Sequence, residues 1–458
     1  MLCVIAAAMA MPSANASVLY DRLEISMYGR MGAAWDPRSG RFVSGQRMNM
    51  TGSAIGGRLE EGDYLEPTIK IHLLAPSTDT TQPYVDFVLT PSMYSQNGLF
   101  AGLFSSGGDS LSVQLFQAYM ETGNILLPGL RVWGGTRFYR GTDVHIADTF
   151  YFNNLAAQGG GIVYGPLDLA ILMQTSVNSG QYNFDANGDG RIGAGDIRRQ
   201  RTVFVAQYVH KFEAGHSVQG LAELHVLPAA KVRRTRDGAE EEVGLNSDLG
   251  WVAGVKAHLD LGNGAFNDMS IRYGTRAASG ARAGAQTYGP FGDPDSFGRY
   301  DDAAGLQAVE HFLYNFGTTF SLNAYAMLHY NTGLRPGTEP GTQVKRESLD
   351  FGVGARGQYY ISDHFHLIGE AHYLGLKDDA NANPDLATAV KFSIAPTFVP
   401  FGARSMWTRP HFRIFYTVAL YNDAAAIGLY SPYQQAVSDG GRPVRVGHFI
   451  GSRVEWWF

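Results

Sequence analysis

The sequence predicts an all-β protein: a transmembrane antiparallel β-barrel of about 18 strands, with long extracellular loops and short periplasmic turns. Three observations predict this fold. Apolar and polar residues alternate along many segments, and short and long connections alternate between those segments. Charged residues make up only 17% of the chain, whereas about 25% is typical of soluble proteins. No run of roughly 18 or more apolar residues could form a spanning helix, but a barrel strand needs only alternate residues to face lipid.

The alternation has the period of two that places successive side chains on opposite faces of a strand. It is clear in segments 348–360 and 411–421 and again at the end of the chain. The apolar face of the first segment carries Leu349, Phe351, Val353, Ala355 and Tyr359. The other face carries Ser348, Asp350, Arg356 and Gln358. A soluble β-sandwich would show the same alternation, so this pattern alone leaves the class open.

The connection lengths distinguish the two classes. Short links at 164–167, 211–215 and 362–365 alternate with long polar ones. The long ones are predicted at about 36–57, 93–109, 140–160, 183–200, 229–247, 275–303 and 422–444. Short turns on one side and long loops on the other indicate an outer-membrane barrel. An even strand count places both chain ends on the periplasmic side, and about eighteen strands should leave an open aqueous channel.

The first residues resemble a secretory signal. A short apolar run is followed by Ala14-Asn15-Ala16, which predicts a signal peptide over 1–16 and a single barrel domain over 17–458. The lone cysteine, Cys3, would leave with the signal, so disulfides and thiolate metal sites are not expected in the mature chain. The net charge of −6 gives no reason to expect a nucleic-acid partner.

Four patches carry a family resemblance. They are 133–148, which contains Arg137-Phe-Tyr and Asp143-Val-His145; 406–417, which contains Trp407-Thr-Arg-Pro; 28–32; and 454–458. Along the chain, from 28–32 to 454–458, these patches follow the order of the maltoporin family, the LamB-type carbohydrate-specific porins, which the sequence resembles. The resemblance implies a homotrimer of eighteen-stranded barrels in the outer membrane of a Gram-negative bacterium. Such a channel passes maltodextrins or related oligosaccharides by facilitated diffusion.

The resemblance also implies a path of aromatic side chains along which sugar slides. The matching positions are Tyr28, Tyr64, Trp407 and Trp457. Pyranose rings have apolar C–H faces that pack on aromatic rings, while their hydroxyls need polar partners. Strand parity places Tyr28, Tyr64 and Trp457 on faces that also carry charged residues, and therefore predicts that they point into the lumen. The alternative is that they belong to the aromatic belts of a barrel.

A constriction of charged residues, partly on an inward-folded third loop at about 140–160, is implied as well. Its counterparts are Arg30, Arg58, Glu66, Arg140, Asp143, His145 and Asp148. Three departures from the family stand out. Arg140 is one position early, Phe150 replaces a tyrosine, and Phe116 replaces an arginine. Fewer hydrogen-bond donors predict a wider and less selective pore.

A second loop matches the spacing of a calcium-binding loop, D-x-N-x-D-G with an acid at the twelfth position. The predicted ligands are the side chains of Asp185, Asn187, Asp189 and Asp196 with the carbonyl of Arg191. The alternative is an ordinary Asn/Gly/Asp-rich surface loop. Structural Ca²⁺ in loop 185–196 is thus a possible ligand, and no other cofactor is expected.

Other functions are less well supported by the sequence. Gly108-Asp109-Ser110-Leu111 matches a short esterase string, but it opens an alternating strand where that enzyme class needs a helix. We therefore do not expect an enzyme. The alternatives to a sugar channel are a porin of broader or different specificity, and an outer-membrane receptor or enzyme that uses the long surface loops.

Overall fold

The computed structural model describes most of the chain. The described residues are 22–43, 48–50, 52–53, 55–74, 76–77, 79–95, 100, 111–174, 183–184, 197–236, 239–280, 287, 289–295, 297–337, 342–381, 383–429, 432–438 and 442–458. The predicted signal peptide, 1–16, and the predicted calcium loop, 185–196, lie outside them.

In the described part of the chain, eighteen strands form one closed sheet. They are β1 Leu23–Trp35, β2 Tyr64–His72, β3 Tyr84–Ser95, β4 Leu111–Gly123, β5 Leu130–Arg137, β6 Ala157–Tyr164, β7 Leu167–Gln174, β8 Arg201–Lys211, β9 Ser217–Leu227, β10 Asp248–Gly262, β11 Ala265–Thr275, β12 Ala304–Phe316, β13 Phe320–Pro336, β14 Gln343–Tyr360, β15 Phe365–Asp378, β16 Ala387–Phe398, β17 His411–Tyr421 and β18 Val446–Trp457. Each strand pairs antiparallel with the next, and β1 pairs with β18 to close the barrel, with Tyr28 opposite Trp457. The predicted fold class is confirmed.

The two faces of the barrel differ as the alternation predicted. On β17, His411, Arg413 and Thr417 are buried inside, whereas Phe412 and Ile414 are 44% and 65% exposed. Large exposed apolar side chains recur at alternate positions on most strands, on the outer face. Because only lipid can cover such a continuous apolar band favourably, this face is the membrane-facing surface.

Connection lengths define two ends of the barrel. At the short-turn end lie links such as 165–166, 263–264 and 317–319; at the long-loop end lie 36–63, 138–156, 276–303 and 422–445. The strands are less uniform than the expected ~9–11 residues: β13 and β14 have 17 and 18 residues. This hairpin extends at the long-loop end, where outward Lys345 and Glu347 form an ion pair of 2.5 Å suited to water.

Several long loops turn into the barrel. Loop 48–63 packs Met48, Ile55 and Leu59 in the same apolar cluster as Phe415 and Phe449 of the inner wall. Two short helices, Asp423–Ile427 and Pro432–Val437, contribute to that cluster. Loop 138–156 crosses to the opposite wall. No helix within the described residues is long and apolar enough to cross a membrane.

A buried lysine fixes loop 48–63 to the wall. The ammonium of Lys391, on β16, donates to Asn49 Oδ1 at 2.7 Å and to the carbonyl of Gly57 at 2.9 Å, and it also contacts the Glu60 carboxylate. Both charged side chains are about 1% exposed. Since a buried charge is costly without its partner, this pair locks the loop in its inward position.

Candidate functional site

Four parts of the chain that are distant in sequence meet inside the barrel: β1 with segment 58–66, the third loop, the connection 399–410, and the end of β18. Closure of the barrel explains part of this meeting, because Arg30 lies opposite Glu455 and Tyr28 opposite Trp457. The antiparallel pairing of β1 with β2 places Tyr64 beside this group, opposite Arg30. The third loop and the connection 399–410 turn inward and bring the remaining residues to the site.

Aromatic rings form a continuous row through this meeting point. The rings of Tyr64 and Tyr28 are 5.9 Å apart, and those of Tyr28 and Trp457 are 6.5 Å apart and stacked. The imidazole of His145 then bridges to two tryptophans, at 5.5 Å from Trp457 and 5.9 Å from Trp407. We call these five residues the aromatic row. All are partly accessible, and Trp407 is 38% exposed.

A network of charges runs along one side of the row. The Tyr28 hydroxyl accepts hydrogen bonds from Arg58 Nη2 at 2.7 Å and from Arg30 Nη1 at 3.2 Å. Both arginines share the Glu61 carboxylate, at 2.8 Å from Arg30 and 3.2 Å from Arg58. Asp148 lies 3.4 Å from Arg58 and is one-third exposed. The two guanidinium groups are therefore held rigidly, with a carboxylate on the accessible side.

Glu455 is the centre of a second network. Its carboxylate accepts from Arg409 Nε at 3.0 Å and also contacts Arg413. The Tyr28 hydroxyl donates to it at 3.3 Å, and His145 Nε2 lies 3.5 Å away. Arg409 in turn lies 3.9 Å from the ring centre of Trp457. One carboxylate thus links the last strand, the connection 399–410, the first strand and the third loop.

The third loop is anchored from both sides. Beyond the short turn His145–Ala147, Asp148 adopts a left-handed conformation with φ 47°. On the far wall, Tyr151 donates to Asp268 at 3.1 Å, and the amide of Phe152 donates to the side chain of Gln307 at 2.8 Å. These contacts, together with those of His145, hold the loop across the interior.

Asp143 stays charged in this loop. Burial would raise the pKa of its carboxyl, but the neighbouring His145 and Arg58 side chains lower it by more. Its pKa therefore lies below the ordinary value, and Asp143 is a carboxylate at neutral pH. Its side chain is 34% exposed, so this charge is available to solutes in the interior.

Arg140 and Glu66 occupy the edge of the site. Tyr64 donates to Glu66 Oε2 at 2.5 Å, and Glu66 Oε1 lies 3.9 Å from Arg140 Nη2. Arg140 is flanked by the rings of Phe138 and Phe150. Arg140 stands one position earlier than the family's arginine, and Phe150 stands where the family has a tyrosine. These two departures therefore lie in direct contact.

The structure brings all eleven aromatic-path and constriction candidates together. Sequence reasoning missed four further members of the network, namely Glu61, Arg409, Arg413 and Glu455. A signal existed for two of them: Arg409 stands within the Trp407-Thr-Arg-Pro motif, and Glu455 shares the inward parity of Trp457.

The calcium candidates Asp185, Asn187, Asp189, Arg191 and Asp196 lie outside the described residues. Among residues that are described, no three His, Cys, Asp or Glu side chains could hold a metal ion.

A closed membrane barrel with inward loops and a row of aromatic and charged side chains defines an outer-membrane porin. The chain belongs to the LamB porin family, whose model matches residues 23–458. A maltoporin of Vibrio cholerae is 27% identical over 307 residues, which cover 63% of this chain and 66% of that protein. A maltoporin of Vibrio parahaemolyticus is 26% identical over 296 residues, 63% of this chain and 91% of that protein. The chain spans about two thirds of the length of the Vibrio cholerae relative.

Solved structures give more distant similarities. The Acinetobacter baumannii channel DcaP superposes with a TM-score of 0.39 at 10% identity, covering 95% of this chain and 98% of that one. An anion-selective porin from Comamonas acidovorans gives 0.40 at 11% identity, with 95% and 100% coverage. At these values the similarity has no bearing on substrate. Family membership places the protein in the outer membrane of a Gram-negative bacterium.

Proposed function

We propose that this porin is a channel for the facilitated diffusion of maltodextrins or related oligosaccharides. The observation that carries the proposal is the aromatic row with charged networks beside it. The rings of Tyr64, Tyr28 and Trp457, with successive centres 5.9 and 6.5 Å apart, suit successive apolar faces of a linear saccharide, and the imidazole of His145, which meets both tryptophans edge-on, joins Trp407 to them. Carboxylates and guanidinium groups beside them suit its hydroxyls.

The accessibility of the site supports the same proposal. Trp407, Asp143 and Asp148 each keep about a third of their side-chain surface exposed. By contrast, Glu61 and Glu455 are nearly fully buried and hold the arginines in place. A solute that passes through a pore must bind weakly at each site, because strong binding would stop transport. Partly exposed side chains beside arginines that buried carboxylates hold in place suit such weak, repeated binding.

The test is sugar block of ion current. With the purified porin in planar bilayers, maltohexaose should reduce the current in a saturable, concentration-dependent way. Sucrose at equal concentration controls for viscosity. Current that stays unblocked at millimolar maltohexaose would exclude a maltodextrin channel and favour the alternative, a porin of broad specificity.

Two further proposals accompany this function. The first is that the protein assembles as a homotrimer, as the family resemblance implies. Cross-linking in detergent before and after heating tests it.

The second is that loop 185–196 binds Ca²⁺. The described residues on either side support a closed loop, because Asn183 pairs with Arg198 and Phe184 with Ile197 in a short antiparallel ladder. Such a ladder would bring the two ends of a twelve-residue metal loop together.

A further inference from the structure

Three phenylalanines and one arginine form a second aromatic group beside the aromatic row. The rings of Phe116 and Phe138 are 5.3 Å apart. The guanidinium carbon of Arg140 lies 3.7 Å from the ring centre of Phe138 and 4.0 Å from that of Phe150. All four side chains are partly accessible. We call Phe116, Phe138, Arg140 and Phe150 the phenylalanine lane.

A bulge in β4 brings Phe116 into this group. Gln117 pairs with Thr90, but Leu115 pairs with Pro91, so Phe116 is an extra residue without a partner in the ladder. Leu115 is 56% exposed on the outer face, whereas Gln117 donates to the buried Thr90 inside. Because a bulge re-aims the inserted side chain, Phe116 packs against Phe138 of the third loop.

The hydrogen-bonding capacity of the lane is concentrated in Arg140. Its long ion pair with Glu66, 3.9 Å, contrasts with the 2.8–3.2 Å contacts of Arg30 and Arg58 to Glu61. A guanidinium between two rings covers one face of each with its own plane, leaves the other face open and keeps its N–H groups at its edge. Those donors therefore point sideways, toward the side on which Glu66 meets Tyr64.

The lane differs chemically from the aromatic row. Rings of the row carry hydroxyl, indole or imidazole groups, whereas the three rings of the lane are phenyl groups with no polar atom of their own, and the polar group that packs on two of them is the Arg140 guanidinium. A sugar hydroxyl placed over these rings would lose its hydrogen bond to water without gaining another, which is unfavourable. A flat apolar group attached to a sugar has no such hydrogen bond to lose and would gain contacts with the rings.

We propose that the phenylalanine lane binds an aromatic aglycone of a glycoside whose sugar units lie on the aromatic row. The assignment rests on the proposed sugar-channel function and names a substrate class for it. Glu66 and Arg140 stand at the junction, where Glu66 accepts from Tyr64 and faces Arg140. They supply an acceptor and donors for the hydroxyls nearest the glycosidic bond.

The experiment compares two ligands that differ only in the aglycone, methyl α-maltoside and phenyl α-maltoside. Both are titrated against single-channel current in wild type, Phe116→Leu, Phe150→Leu and Phe150→Tyr. A ring contact changes affinity on the order of 2- to 10-fold, so phenyl maltoside should bind tighter by that factor in wild type. The leucine variants should lose this advantage, and Phe150→Tyr should keep it.

A substitution on the lipid-facing surface separates an effect of the lane from a general effect of replacing phenylalanine by leucine. Phe412 is 44% exposed on the outer face of β17, and Phe412→Leu should leave both ligands unchanged. Unaltered ion conductance shows that each variant forms a folded channel. Equal binding of both maltosides to wild type would overturn the lane while leaving the sugar function intact. Binding of neither would overturn the sugar function itself. A phenyl advantage that survives both leucine variants would place the aglycone elsewhere and overturn the lane.

Discussion

Nε2 of His145 lies 3.2 Å from Nη2 of Arg409. The histidine belongs to a loop that starts at the long-loop end, and the arginine to a connection at the short-turn end. The other ring nitrogen of His145, Nδ1, lies 3.1 Å from Nη1 of Arg58. The third loop therefore places His145 between two arginines, one from loop 48–63 and one from the connection at the short-turn end, and a neutral imidazole can accept a hydrogen bond from only one of them.

Trp407→Ala should weaken sugar block while leaving single-channel conductance nearly unchanged. The ring supplies stacking surface, and its loss should lower affinity for maltohexaose on the order of 2- to 10-fold. Titrating current block measures this effect. Trp251→Ala is the control, because Trp251 is 47% exposed on the outer face of β10. A strong change in conductance with unchanged sugar affinity would contradict the role of the row.

Tyr28 should show two separable effects. Tyr28→Phe keeps the ring but removes the hydroxyl that accepts from Arg58 and Arg30. We expect sugar affinity to fall less than in Tyr28→Ala, while ion selectivity changes as the arginines rearrange. Sugar titration and reversal potentials in a KCl gradient measure the two effects. Identical behaviour of both variants would show that the ring and the hydroxyl do not act separately.

Glu455→Gln should shift the channel toward anions. The carboxylate contacts Arg409, Arg413 and His145, and its removal leaves the two guanidinium charges without their shared partner. The reversal potential in a KCl gradient should move toward the chloride potential. Glu347→Gln, at an exposed pair on the long-loop end, is the control. An unchanged reversal potential in normally inserting channels would refute the expectation.

Lys391→Met should release loop 48–63. Removing one partner of a buried ion pair costs about 3–5 kcal/mol because it leaves an uncompensated charge, here on Glu60. We expect faster proteolysis within 48–63 and noisier current. Lys345→Met, at a lysine that is 67% exposed, is the matched control. Protection equal to wild type would mean that the apolar contacts of Met48, Ile55 and Leu59 suffice to hold the loop.

Calcium should protect loop 183–200 from proteolysis. Extracellular calcium sites work at about 10⁻⁴–10⁻³ M, and binding to the ordered loop stabilises it by mass action. Cleavage is compared with and without calcium in wild type and in Asp185→Ala/Asp189→Ala. Equal cleavage in all four samples would eliminate the site. Equally strong protection by magnesium would also argue against it, since magnesium requires a tighter octahedral cage.

Sequence reasoning was strongest where a periodic pattern carries the information. The inward positions of Tyr28 and Trp457 follow from strand parity, because a period of two fixes the face of each residue once the strand is known. It was weaker for Glu455, whose partner Arg409 is 46 positions away in the chain. Parity states that Glu455 points inward, but not which side chains meet it there.

The sequence by itself determined the class of fold and the faces of the strands, and its resemblance to the maltoporin family supplied the candidates for the sugar path and the constriction. These properties depend on local alternation and on motifs, which are read directly from the order of residues. Only the tertiary structure decided that Arg140 lies between Phe138 and Phe150, that Phe116 joins them through a bulge, and that Lys391 holds loop 48–63. The physical reason is that closure of the barrel and the inward course of its loops set which distant residues share the interior. Contacts of this kind depend on register and on loop path, neither of which has a period in the sequence.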